Sequence, residues 1–251
     1  MTLSALDIVL LLAAGLFGGA INVMAAGGSV ITVPVMIMLG VPGPIANGSN
    51  RIAIIAQNIA ATRTFFSRGV RDLRLSITLA IATLPGVIYG AWLGAELDAQ
   101  YFNYLLTGVM VTVLFFVWRP VPTIKSGNQA MSSSQWWAGH LLMAVIGFWG
   151  GIIHIGIGFL MMPILNRVMG LDLITTNMHK CLIVLLYTVI ALGVFAYHGE
   201  VYWLIGIVLA IGNTIGGHLG ARWTMRLSEA TLRKIIVAAI LLLIAKLLLF
   251  P

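Results

Sequence analysis

Charge is what this sequence lacks most. Only 8% of its 251 residues are Asp, Glu, Lys or Arg, and 7 of them are acidic. A soluble domain carries roughly a quarter charged residues. So few charges cannot clothe a watery surface when 60% of the chain is hydrophobic and the mean hydropathy is +1.05. The solvent is therefore lipid. A single cysteine, Cys181, excludes an intramolecular disulfide and a cysteine-based metal cluster. HExxH, GxSxG and GxxxxGK[ST] are all missing and the histidines are scattered. An intramembrane enzyme, or a chain that itself uses ATP, has no footing in these residues. The opening MTLSALDIVLLLAAGLFGG lacks a basic flank, so it reads as a first membrane segment and not as a cleaved signal.

Long apolar runs are what the chain has instead. Residues 201–221 contain no Asp, Glu, Lys or Arg. About 20 such residues in a helix cross a bilayer core of about 30 Å. In lipid only helices and closed barrels satisfy their own backbone, and barrel strands would alternate where these runs are continuous. The expected fold is an all-α integral membrane protein of about 8–10 membrane segments. Helices are expected near 4–26, 28–41, 45–66, 73–95, 99–118, 136–154, 155–169, 173–197, 201–223 and 229–250. RPVPTIKSGNQAMSSSQ, residues 119–135, reads as a polar linker between an N-terminal unit, 1–118, and a C-terminal unit, 136–251.

The two units repeat. Gly15-Leu-Phe-Gly-Gly matches Gly147-Phe-Trp-Gly-Gly, and Gly90-Ala-Trp-Leu-Gly-Ala matches Gly216-Gly-His-Leu-Gly-Ala. Pro34 and Pro163 each precede a polar-basic pair by 16 residues, Asn50-Arg51 and His179-Lys180. Asp98 and Ser228 are placed to cap the last helix of each unit. Basic residues favour cytoplasmic loops. Placing the segments around Arg68, Arg71 and Arg74, around Arg119 and Lys125, around Arg167, and around Arg222, Arg226, Arg233 and Lys234 inside, with Arg63 nearby, puts 11 of 14 basic residues in the cytoplasm. The net charge of +7 then reflects orientation and not nucleic-acid binding. Glu96, Asp98, Glu200 and Asp7 fall outside. Each unit makes an odd number of crossings, the repeats are inverted, and both termini are expected on the non-cytoplasmic side.

The second segment of each unit is too short to span. Residues 28–41 give about 21 Å of helix at 1.5 Å per residue. Both short segments open on glycines, Gly27-Gly28 in one, Gly156 and Gly158 in the other. Glycine/proline-interrupted helices at matching places in two repeats point to a transport site, although small residues also serve simple close packing. Whether each short segment crosses or re-enters stays open. Arg51 and Lys180 occupy equivalent positions at the start of long apolar runs. An intramembrane charge is costly and usually functional, though both could instead cap helix starts. Asn50, His179, Asn47, Ser49 and Thr176 surround them, and Asn22 and His154 form another matching pair. Donors and positive charge without carboxylates suit an anion. His179 and His154 are candidates for proton coupling. Gln57, Asn58 and Tyr187 could line the path or bond between helices. Cys181 is a small core residue, Asp172 a helix cap, and Lys246 an interfacial snorkel. No metal site, catalytic residue or cofactor is expected.

GLFGGAINVMAAGGSVITVPVMIMLG and GFWGGIIHIGIGFLMMPILNRVMG, with the chain size and the repeat, resemble the sulfite exporter TauE/SafE family. Where members often carry a denser run of glycines, this chain has AAGGS and IGIGF. The resemblance covers nearly the whole chain. It implies a multi-pass permease of the bacterial cytoplasmic membrane, usually a secondary exporter, for sulfite, organosulfonates or related small anions. A carrier of another carboxylate or oxyanion, an anion channel and a non-transporting assembly partner are the alternatives. The expected partners are the small anion and the bilayer, with no nucleic acid; a homodimer is compatible with the sequence.

Overall fold

The computed structural model describes residues 3–25, 28–70, 72–118 and 131–226. The regular structure of the described residues is entirely helical. The expected helix at 229–250, most of the linker, and Gly27 lie outside them. In the N-terminal unit α1 covers Ala5–Ala25, α2 Ser29–Met38, α3 Gly43–Ser67, α4 Leu73–Glu96 and α5 Ala99–Trp118. In the C-terminal unit α6 covers Ser133–Ile152, α7 Ile157–Pro163, α8 Leu173–Tyr197 and α9 Trp203–Thr224. A π-helical turn, Ile164–Val168, follows α7.

Most boundaries follow the sequence to within a turn, and the exceptions have local causes. Helix α6 starts three residues before the expected position because Ser132 and Gln135 form a capping box. That motif satisfies two orphan donors at once. Helix α6 also ends early, where His154 takes φ 59°. A residue in the left-handed region stops a helix, and glycine normally fills that place. Pro163 cannot donate to a preceding turn, and the widened π turn begins directly after it.

Among the described residues, four helices are long and apolar enough to cross a membrane: α1, α4, α8 and α9. Helix α3 is the polar one. It buries Asn47, Ser49, Asn50, Arg51, Gln57 and Asn58, so it runs through the protein interior with other helices as its solvent.

The repeated glycine motifs explain how the units interlock. The backbone of Leu12, Leu16 and Ala20 in α1 lies where side chains at Gly212, Gly216 and Gly220 of α9 would stand. In the other pairing Ala144, Phe148 and Ile152 of α6 abut Gly86, Gly90 and Gly94 of α4. A Cβ at Gly15 would come within 2.9 Å of the Asn213 amide nitrogen, and one at Gly151 within 2.7 Å of that of Ala91. Absent side chains let backbones touch, which is how membrane helices associate without a hydrophobic driving force. The first helix of each unit, α1 or α6, thus packs against the fourth of the other, α9 or α4.

These contacts also give direction. Residue numbers rise together along α1 with α9, and along α4 with α6, so each pair is parallel. Gly206 against Ser49 and Thr64 beside His218 make α3 parallel to α9. Gly48 against Glu200, Arg51 over Phe195, and Ala61 and Phe65 clustered with Met178 and Cys181 make α3 antiparallel to α8. Hence α1, α3 and α9 run one way, and α6 and α8 run the other together with α4.

Candidate functional site

Chain breaks follow α1 and α6, and the basic residue of the opposite unit closes each one. The last four carbonyls of a helix have no partner within it. At the end of α6 all are accounted for. Trp149 O accepts from Ile153 N at 3.2 Å. Gly150 O accepts from Arg51 Nη1 at 3.2 Å, and Gly151 O accepts from Arg51 Nη2. Ile152 O accepts from Asn47 Nδ2 at 2.8 Å. Helix α3 therefore supplies three of the four caps. Arg51 is 0% exposed and lies 4.4 Å from the Phe195 ring centroid, so its charge rests on an aromatic face.

The end of α1 is treated the same way from α8. Lys180 Nζ donates to Asn22 O at 2.9 Å, to Val23 O at 2.8 Å and to Asn177 Oδ1 at 2.8 Å. Its three protons are spent, and the residue is 4% exposed. A cation at a helix C-terminus offsets the negative end of the macrodipole. Both residues thus cap helix ends, whereas the sequence allowed them to cap helix starts.

The remaining expected residues divide between the two breaks. Asn50 fastens α2 to α3: its Oδ1 accepts from Thr32 Oγ1 at 2.8 Å and its Nδ2 donates to Ser29 Oγ at 3.3 Å. Gly28 is buried where α2 begins, and a Cβ there would strike Gly18 O, so only glycine lets the start of α2 lie this close to α1. Asn22 offers its backbone carbonyl to Lys180. His154, the residue that the sequence motifs pair with it, offers its ring instead: Nδ1 and Tyr187 Oη are 2.8 Å apart. Three expected residues hold the frame. Ser49 Oγ accepts from Tyr202 N at 2.7 Å, Thr176 Oγ1 donates to Leu171 O at 3.4 Å, and Asp172 accepts from Ile174 N and Thr175 N as the cap of α8. Gln57 accepts from Asn213 Nδ2 at 3.3 Å between α3 and α9, a bond between helices. Cys181 is a buried core residue.

His179, next to Lys180, turns its ring away from the α1 end and toward α4. Its Nδ1 lies 2.7 Å from Ser76 Oγ and its Nε2 4.0 Å from Asp72 Oδ2. Sequence reasoning missed Asp72 and Ser76. The signal was present, since an Asp directly before the apolar run of α4 is an N-cap pattern, and Asp72 does accept from Leu75 N. No metal-ligating cluster of His, Cys, Asp or Glu occurs among the described residues.

Comparison with known proteins turns this geometry into a family. The model of the family described as Sulfite exporter TauE/SafE matches residues 11–247. The chain belongs to that family. Curated relatives span both partners almost end to end. A Sinorhizobium sp. protein named "Probable membrane transporter protein ORF9" is 24% identical over 242 residues, 96% of this chain and 92% of its own length. One from Haemophilus influenzae, named "Probable membrane transporter protein", is 24% identical over 240 residues, 95% of this chain and 93% of its own. Escherichia coli "Probable membrane transporter protein YfcA" is 25% identical over 239 residues, 93% of this chain and 86% of its own. No solved structure matches the chain significantly. With its apolar helices, this TauE/SafE member is a multi-pass membrane protein.

Proposed function

We propose that this membrane transporter of the TauE/SafE family carries small sulfur-containing anions, sulfite or an organosulfonate, across the bacterial cytoplasmic membrane by alternating access. One observation carries the reading. Two buried cations stand at the two helix breaks, and among the described residues neither has a carboxylate partner. Each faces a helix C-terminus worth about half a negative elementary charge. That leaves roughly half a positive charge at each break, about one in all. In a low-dielectric interior such a surplus calls for a counter-charge, and a small oxyanion supplies it.

The opposed helix directions support an inverted repeat, with α1, α3 and α9 as the counterparts of α6, α8 and α4. The reciprocal capping also supports it: Arg51 to α6 and Lys180 to α1 are the same contact made twice. Rocking one interlocked half against the other would move both breaks together. The basic-residue pattern puts the N-terminus and the start of α3 outside, and the ends of α3 and α9 inside. A reporter at the C-terminus that reads as cytoplasmic would overturn that orientation.

Uptake of radiolabelled sulfite into proteoliposomes tests the site. Arg51→Gln and Lys180→Gln are each expected to lower the initial rate at least about tenfold, the loss of about 1.4 kcal/mol of anion stabilisation. Competition by taurine and sulfoacetate would define the substrate class. Full transport in both variants removes the cations from the site.

A further inference from the structure

The bonding around His179 fixes which of its nitrogens can take up a proton. Ser76 Oγ lies 3.1 Å from the Asp72 main-chain oxygen, which can only accept, so the single hydroxyl hydrogen is spent there. Ser76 must then receive the hydrogen of His179 Nδ1, 2.7 Å away. In the neutral ring Nε2 is left with a bare lone pair. That atom is fully buried, has no hydrogen-bond partner and faces Asp72 Oδ2 at 4.0 Å. A lone pair and a carboxylate oxygen repel, and a proton between them turns the contact into a charge-assisted hydrogen bond. The Asp72 side chain is 48% exposed while that of His179 is 0% exposed, so the carboxylate connects water to the buried ring.

We propose that His179 Nε2 and the Asp72 carboxylate form a proton-binding site opening at the start of α4, and that the proton it holds is the coupling ion. The coupling rests on the transporter reading above; the proton site does not. Lys180, the next residue, caps the end of α1 at the N-terminal break. A proton arriving on His179 adds positive charge one residue from that break and draws α8 toward α4. Binding of an anion and of a proton then favour each other electrostatically.

Several elements bring charged groups to this end: α4 itself brings Arg74 and the end of α9 Arg222 and Arg226, all exposed, and α8 brings the buried Lys180. Asp72 comes from the segment before α4 and Asp172 from the cap of α8 itself. Helix α3 brings Arg63 and Arg68, and the π turn Arg167, all exposed. Helix α6 brings His140 to this end, held by Trp136 O at 2.8 Å and Thr78 Oγ1 at 3.0 Å. Neither α1 nor α7 brings an ionisable side chain here.

The opposite end of the same helix pair offers a control. His198 Nδ1 lies 2.9 Å from Val194 O, and its Nε2 lies 4.0 Å from Glu96 Oε1. The nitrogen arrangement is the same, but the His198 side chain is 21% exposed. Water can serve its Nε2 without a carboxylate.

Two measurements on the full chain in lipid decide the matter. In nanodiscs, nitrogen-15 histidine NMR from about pH 4.5 to 8.5 reads the ring directly. His179, assigned by its loss in His179→Gln, is expected to titrate at Nε2 while Nδ1 keeps its proton. Asp72→Asn still caps α4 and is expected to move that titration by about one pH unit or more. A ring that holds one tautomer throughout, or that ignores Asp72→Asn, overturns the site whatever the substrate is.

In proteoliposomes, a sulfite gradient is expected to move protons, read by lumenal pyranine. His179→Gln should lower the number of protons moved per sulfite at least tenfold, and His198→Gln should change that ratio less than twofold. Sulfite counterflow without any proton movement in the native protein overturns the coupling alone. Absence of sulfite counterflow in the native protein counts against the substrate reading, and the NMR titration still decides the proton site.

Discussion

The two chain breaks do the same job with different parts, and the difference shows what each residue is for. At the end of α6 a guanidinium and an amide take three carbonyls, and the chain turns through a left-handed histidine and a left-handed glycine, Gly156. At the end of α1 one ammonium takes two carbonyls and a side-chain oxygen, and α1 runs on through Asn22 to Ala25. A planar fork suits two adjacent carbonyls, whereas a point charge with three rotatable donors gathers scattered acceptors. The matching pair Asn22 and His154 divides in the same way. One lies inside a helix and lends its backbone; the other lies past a helix end and lends its ring.

Removing the caps should break the comparison hardest. Arg51→Met strands two buried carbonyls and loses the Phe195 ring contact, and is expected to cost about 2–5 kcal/mol; Lys180→Met, which also strands two carbonyls, is expected to be lower by the share of that cation–π contact. Thermal unfolding in detergent checks the order. Equal losses would mean that the two breaks depend on their cations alike.

The glycine interfaces come next. Gly90→Leu and Gly216→Leu each force a side chain into the backbone of the partner helix. Each is expected to cost about 1–3 kcal/mol, the usual penalty of overpacking. Similar losses in both would sharpen the equivalence of the units, and a silent variant in either would break it.

The smallest effect separates the matching polar pair. His154→Ala loses the Tyr187 bond, worth about 1 kcal/mol. It keeps the left-handed backbone that alanine tolerates poorly. Asn22→Ala retains the carbonyl that Lys180 uses and is expected to stay within about 0.5 kcal/mol of the native protein. The same melting experiment reads both, and a larger loss for Asn22→Ala would show that its side chain matters too.

Much of this was legible in the chain. Composition gave lipid as the solvent, and run lengths gave the helices. The repeated glycine motifs proved to be the faces on which the units interlock. Arg51, Lys180, Asn50, Asn47 and His154 were found because polar groups within apolar runs are expensive and therefore conspicuous. Asp72 and Ser76 were passed over because an N-cap at a polar loop looks ordinary from sequence. Only the packing of α8 against α4 brings them to His179, across 103 residues for Ser76.

What the sequence alone determined is therefore whatever depends on local spacing: hydrophobic length, breaks at Gly and Pro, caps, and the sign of the buried charge. The tertiary structure decided where that charge is spent. Arg51 reaches carbonyls 99 and 100 residues away, and Lys180 reaches carbonyls 158 and 157 residues back. A helix end leaves unpaired carbonyls that its own segment cannot satisfy, and only folding determines which distant donor stands opposite them.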